Sequence, residues 1–267
     1  MGIFGRIDTF ITWFDGVVWG LPLIILILVT GIFLTVRLGL LQVRYLGKAL
    51  KFMVKNEEDG HGEVTSFGAL CTALSATIGT GNIVGVATAI SAGGPGALFW
   101  MILTAFLGMA TKYSEGLLAV KYRTIDEDGH VLGGPFYYIE NGMGVKFRWL
   151  AKIFAFFGAG VGLFGIGTFT QVNGISSAVR NFFDPNMAHT VALFGNDYSW
   201  ATVISCLVLT VCVGMVVLGG IKRIAKVSEI VVPFMAVLYV VLAGIFMVTN
   251  ITAIPAAIVT IVKSAFT

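Results

Sequence analysis

The sequence predicts an all-α, polytopic transmembrane helix bundle, and three observations predict it. Of 267 residues, 57% are hydrophobic and 12% charged, where a soluble domain carries about 25% charged residues. Mean hydropathy is +0.92, and uncharged runs recur at the length of about 20 residues that a helix needs to cross a bilayer. The Lys and Arg residues gather in alternate connecting segments. So few charges leave no means of covering a water-facing surface, which excludes a soluble enzyme, a nucleic-acid binder and a disordered scaffold.

The elements follow in order within one transmembrane domain, residues 1–267. After Met1, Arg6 stands where a myristoylation signal needs Ser or Thr, and no small-residue cleavage site follows the first apolar run. Residues 3–14 put Ile3, Ile7, Phe10 and Phe14 on one side and Arg6 and Asp8 on the other, the pattern of a helix lying in the interface. The first span is 17–36. The charge-free run 64–111 is too long for one crossing, and Gly93-Gly94-Pro95-Gly96 divides it into spans 66–92 and 97–120. Spans 153–179, 198–221 and 230–249 complete six, with Glu229 and Pro233 expected to open the last as a helix N-terminus. Residues 251–266 read as a surface helix or the start of a further element.

Segments 37–65, 112–152 and 222–229 hold fourteen of the seventeen Lys and Arg. That asymmetry, in step with six spans, predicts that these segments are cytoplasmic and both termini outside. Glu57, Glu58 and Asp59 read as a solvated charge cluster. Lys112 and Glu115, three residues apart near the cytoplasmic end of the third span, read as a structural ion pair. Cys71, Cys206 and Cys212 lie in apolar stretches without metal-ligand spacing and read as packing residues. His61, His130 and His189 are isolated in loops.

The stretch from Ala73 to Gly85 carries the chemistry. Gly79, Gly81 and Gly85 resemble a dinucleotide fingerprint only as a string, because that motif needs a strand before it in a soluble βαβ unit. Gly81 and Gly85 also form a small-xxx-small pair suited to close helix packing. Packing does not explain Thr77, Thr80 and Asn82, whose polar groups near mid-membrane need partners. A helix broken there frees backbone groups that are tolerated where they line a cavity or hold a ligand. Such interrupted helices bind substrate carboxylates at half-helix N-termini and cations at unwound carbonyls. In the fourth span, Gly158, Gly162 and Gly165 suit helix contact. Gln171, which donates and accepts without a charge, suits either a zwitterionic substrate or a helix-to-helix hydrogen bond. The sequence has no nucleophile–base pair or metal cluster of the kind an enzyme needs, so no enzymatic activity and no cofactor are expected.

Six motifs together resemble the alanine/glycine:cation symporter family, the sodium:alanine symporters: Gly31-Ile-Phe-Leu-Thr-Val-Arg37, Leu74-Ser-Ala-Thr-Ile-Gly-Thr-Gly-Asn-Ile-Val-Gly-Val-Ala87, Gly93-Gly-Pro-Gly-Ala-Leu-Phe-Trp100, Gly108-Met-Ala-Thr-Lys-Tyr-Ser-Glu115, Ala119-Val-Lys-Tyr-Arg123 and Gly133-Gly-Pro-Phe-Tyr-Tyr138. The resemblance runs from about residue 17 to residue 262 and implies sodium-coupled symport of alanine or glycine across the cytoplasmic (inner) membrane. It also implies a leucine-transporter-like fold of two inverted five-helix repeats. This chain would supply the first repeat, after one leading helix. Thr77, Gly79, Thr80, Gly81, Asn82 and Gln171 would then bind the amino acid, and Thr77, Ile78 and Asn82 a sodium ion. The asparagine-glutamate-alanine-glycine stretch of the family's partner broken helix is absent from these 267 residues. The expectation is therefore a part of a longer protein, completed by a second repeat or a partner chain. The alternative is a non-transporting half-transporter that serves as a membrane interaction module.

Overall fold

The computed structural model describes residues 3–54, 64–165, 167–193 and 195–267, with backbone alone at 3, 4 and 54. Glu57, Glu58, Asp59 and His61 lie outside the described residues. The described residues form a bundle of α-helices with two small hairpins. Among the described residues, five helical stretches are long and apolar enough to cross a membrane: Gly5–Arg37, Gly96–Lys121, Val145–Phe183, Trp200–Val217 and Gly220–Thr249. A sixth is a pair, Ser66–Thr77 with Gly81–Gly93, bent by 54° at its break.

Helices α1 (Ile3–Val18) and α2 (Leu21–Arg37) form the first stretch, so the surface helix expected over 3–14 is its leading half. Gly39 and Leu40, both left-handed at φ 64° and 54°, reverse the chain into the turn α3 (Leu41–Arg44) and the helix α4 (Leu46–Val54). Gln42 secures that reversal, its Nε2 donating to Thr35 Oγ1 at 2.8 Å and to the Phe106 carbonyl at 3.2 Å. Next come α5 (Ser66–Thr77), a π-helical turn at Gly81–Gly85, α6 (Val86–Gly93) and α7 (Gly96–Lys121). The expected reversal at residues 93–96 is present, with Gly94 at φ 73°.

Hairpin β1–β2 (Thr124–Ile125, Val131–Leu132) pairs Thr124 with Leu132 and leads to α8 (Pro135–Met143). The ion pair expected in α7 forms at 3.0 Å between Lys112 Nζ and Glu115 Oε2. Helices α9 (Arg148–Phe164) and α10 (Thr168–Phe183) then divide the residues expected as one helix over 153–179. The cause is local: Gly165 closes α9 in the left-handed conformation at φ 59° and Gly167 follows at φ 91°, backbone that only glycine adopts freely. A second hairpin, β3–β4 (Thr190–Leu193, Asn196–Ser199), precedes α11 (Trp200–Val217), α12 (Gly220–Thr249) and α13 (Ile254–Ser264). Residues 251–264 of the segment 251–266 are thus helical, and α13 seats its C-terminal end against the start of α7, where Trp100 Nε1 donates to the Ala265 carbonyl at 3.0 Å.

Small residues make the helix contacts, as membrane bundles require. The buried apolar residues are Cys71, Ala110, Ala151, Ala201, Ala225 and Val232. Of the cysteines only Cys71 is core; Cys206 is half-buried and Cys212 exposed. A Cβ on Gly31 would meet Leu107 at 3.0 Å, which brings α2 and α7 close. By contrast, a Cβ on Gly81, Gly85, Gly158 or Gly162 meets nothing within 4 Å among the described residues, so the close packing expected there does not form.

Glu229 and Pro233 do not open a helix. Helix α12 runs unbroken from Gly220, with Pro233 in its interior. Its buried Ala225, Ser228 and Val232 recur at helical spacing, and α12 and α5 form the most extensive helix pair of the bundle. Glu229 serves the neighbouring helix instead. Its Oε1 accepts from Thr65 Oγ1 at 2.8 Å, and Thr65, the N-cap of α5, accepts from the Gly68 amide at 3.0 Å.

Candidate functional site

The α5 helix ends at Thr77, and Ile78 turns out of it into extended backbone at φ −89°, ψ 105°. Two glycines within three residues weaken the helix at that point. The Ile78 amide still donates to the Leu74 carbonyl at 2.7 Å, and the Asn82 amide restarts the ladder on the Gly79 carbonyl at 3.1 Å. One orphaned group between them finds a partner on another helix: the Thr80 amide donates to Gln171 Oε1 of α10 at 2.9 Å. The approach is close because both helices present glycine. A Cβ on Gly79 would run into the Gln171 amide, and one on Gly174 would come within 2.6 Å of Thr80 Cγ2.

Gln171 stands between two cavities. One, of about 800 Å³, is lined by Ser75 of α5, Ile78 and Gly79 of the first break, Gly167 and Thr168 at the second, and Thr210 of α11. The other, of about 690 Å³, has Thr80, Gly81 and Thr88 on one wall and Asn173 and Gly174 on the other. Neither lining includes a charged side chain. Hydroxyl, amide and backbone groups are therefore the polar contacts on offer. Helix ends add partial charge: the C-terminal carbonyls of α5 are negative and the amides of the segment restarting at Thr80 positive. A neutral cavity flanked by two opposed helix ends suits a small zwitterion together with a cation.

The residues expected at the site divide into two groups. Gly79, Thr80 and Gln171 come together at the break, and Gln171 adopts the helix-to-helix hydrogen bond that was one of its two expected roles. Thr77, Gly81 and Asn82 are exposed. The Thr77 hydroxyl donates back to its own helix, to the Ala73 carbonyl at 2.9 Å and the Leu74 carbonyl at 3.3 Å. Ile78, whose backbone turns out of α5, is among the residues lining the first cavity. Gly167, Thr168 and Thr210 were not expected there. The Gly165-Ile-Gly167 triplet is the sequence signal that marks the first two, whereas nothing in the sequence sets Thr210 apart from Thr202 and Ser205 of the same span. Among the described residues no group of three His, Cys, Asp or Glu side chains could hold a metal ion.

The sodium:alanine symporter family model matches residues 5–267. The chain belongs to the sodium:alanine symporter family. It is 47% identical over 257 residues to the sodium/alanine symporter AgcS of Methanococcus maripaludis, covering 93% of this chain and 52% of that protein. An uncharacterized transporter of Haemophilus influenzae is 52% identical over 260 residues, covering 97% and 53%. The putative sodium/proton-dependent alanine carrier protein YrbD of Bacillus subtilis is 39% identical over 257 residues, covering 96% and 49%. The chain spans about half the length of the curated relatives it matches. Membership in this family, with its helices long and apolar enough to cross a membrane, makes it a multi-pass membrane protein.

Proposed function

We propose that this chain takes part in sodium-coupled symport of alanine or glycine across the cytoplasmic membrane, by alternating access around the broken helix at Thr77–Asn82. The observation that carries the reading is the Thr80 amide, freed by the break and held by Gln171 at the edge of two charge-free cavities. A substrate carboxylate would take the amides of the Gly79–Gly81 turn, with Gln171 yielding or sharing its hydrogen bond. The sodium ion would use the Thr77 and Asn82 side-chain oxygens and the Ile78 carbonyl, at the negative end of α5. Each charge then lowers the cost of bringing the other into the membrane, which is the coupling that symport needs. In this reading the arrangement is leucine-transporter-like, with α2 as the leading helix and the following five spans as one repeat. The cation distribution favours an outside N-terminus.

Vesicles containing the chain, alone or together with the part of the Methanococcus relative that it does not match, test this reading. An imposed sodium gradient should drive uptake of radiolabelled alanine in at least one arrangement. Asn82→Ala should shift half-maximal sodium activation by about tenfold, the equivalent of one lost charge-assisted contact. Uptake indifferent to sodium, or absent in both arrangements, would sink the proposal. Unchanged sodium activation in Asn82→Ala would remove Asn82 from the site.

A further inference from the structure

We infer that the α3–α4 arm, Leu41–Val54, is a docking surface for anionic lipid headgroups at the Arg37 end of the bundle. Between Arg37 and Val54 the sequence has four cations and no carboxylate. Within α4, Leu46, Leu50 and Met53 recur at i, i+4 and i+7 and share one side of the helix, while Lys48 and Lys51 fall on the other. Among the described residues the apolar side is left open: Leu46, Leu50 and Met53 are 54%, 55% and 45% exposed. A soluble face of this kind would be an aggregation liability; at a bilayer surface it is an anchor.

The arm is held where that surface must be. Arg37 ends α2, the chain reverses at once through Gly39 and Leu40, and the buried Gln42 ties the turn to Thr35 and Phe106. The helix that follows therefore starts at the level where the hydrocarbon ends. Tyr45 stands at the junction with Arg44 and Lys48 against its ring, at 5.6 Å and 5.3 Å, an amphipathic ring at headgroup depth. With the apolar side turned into the acyl boundary, Arg44, Lys48 and Lys51 lie among the phosphates. Charge complementarity then selects anionic over zwitterionic lipid. The inference holds whichever leaflet this end of the bundle faces.

A bimane label on Leu50→Cys, in the full chain with Cys71, Cys206 and Cys212 changed to Ala, reads the contact. The vesicles are phosphatidylcholine with an equal fraction of brominated phosphatidylglycerol or brominated phosphatidylcholine. Both brominated lipids should quench the label, phosphatidylglycerol about twofold more strongly. The combined substitution Arg44→Gln, Lys48→Gln and Lys51→Gln should keep the quenching by phosphatidylcholine and lose the excess. High salt should shrink the excess in the labelled chain that retains its cations, a check that does not depend on the Gln substitutions. Equal quenching by the two lipids, or an excess that survives salt and charge removal, overturns the inference. No quenching by either lipid also overturns it, and would leave the apolar side to a protein partner.

Discussion

A single amide group ties the broken helix to the rest of the bundle. With Gln171→Leu the Thr80 N–H loses its partner in a part-buried site, and an unsatisfied buried donor costs about 1–3 kcal/mol. The variant should show a lowered thermal midpoint in detergent as well as lost uptake. Gly174→Val should act similarly, because its side chain would displace Thr80; a midpoint unchanged in both variants would mean the contact holds nothing together. A second residue-scale feature lies outside the spans. Asp184, only 4% exposed, accepts from Ser199 Oγ at 2.6 Å and the Ala188 amide at 2.8 Å. The Ser199 hydrogen bond first, and then the backbone amides, hold its carboxyl below the usual range. A carboxyl depressed in the folded state contributes stability above its unfolded pKa of about 3.9 and loses it as pH falls through the folded value. Hydrogen exchange in β3–β4 should therefore accelerate only at pH below the ordinary carboxylate range, and Asp184→Asn should be fast at neutral pH already.

Among the elements, the α5–α12 pair shows how the same residue types serve differently from their expected roles. Acid at a helix N-terminus is sound physics, yet the helix that Glu229 supports is α5, through Thr65. Thr65→Val should destabilise the bundle by about 0.5–2 kcal/mol, the range for a lost N-cap. Because Thr65 and Glu229 share one hydrogen bond, Thr65→Val and Glu229→Ala should be markedly less than additive. Full additivity in thermal unfolding would show that the two act separately. The division of α9 from α10 escaped the apolar-run reading for a related reason. Hydropathy counts side chains, whereas the break resides in the backbone freedom of Gly165 and Gly167. The break at residues 78–80 was legible because polar residues accompany its glycines.

For the whole molecule, the cation asymmetry makes a topological prediction. Asp128→Cys, in the exposed β1–β2 turn, should react with an impermeant maleimide only after permeabilisation, and Asp197→Cys, in β4, in intact cells. The reverse pattern would invert the proposed orientation. The sequence alone determined that this is a helical membrane protein, where its helix-forming apolar stretches lie and which family it resembles, because these follow from hydropathy, charge counts and local glycine chemistry. It also marked Gly79, Thr80 and Gln171 as chemically unusual. Only the tertiary structure decided that Thr80 meets Gln171 across 91 positions, that Glu229 supports, through Thr65, a helix other than its own, and that Asn82 and Thr77 stand apart from that contact. Those outcomes depend on which helix faces which. Membrane helices choose partners by close packing of small residues and by hydrogen bonds between distant segments, and a small-residue or polar pattern in the chain does not say which helix it will meet.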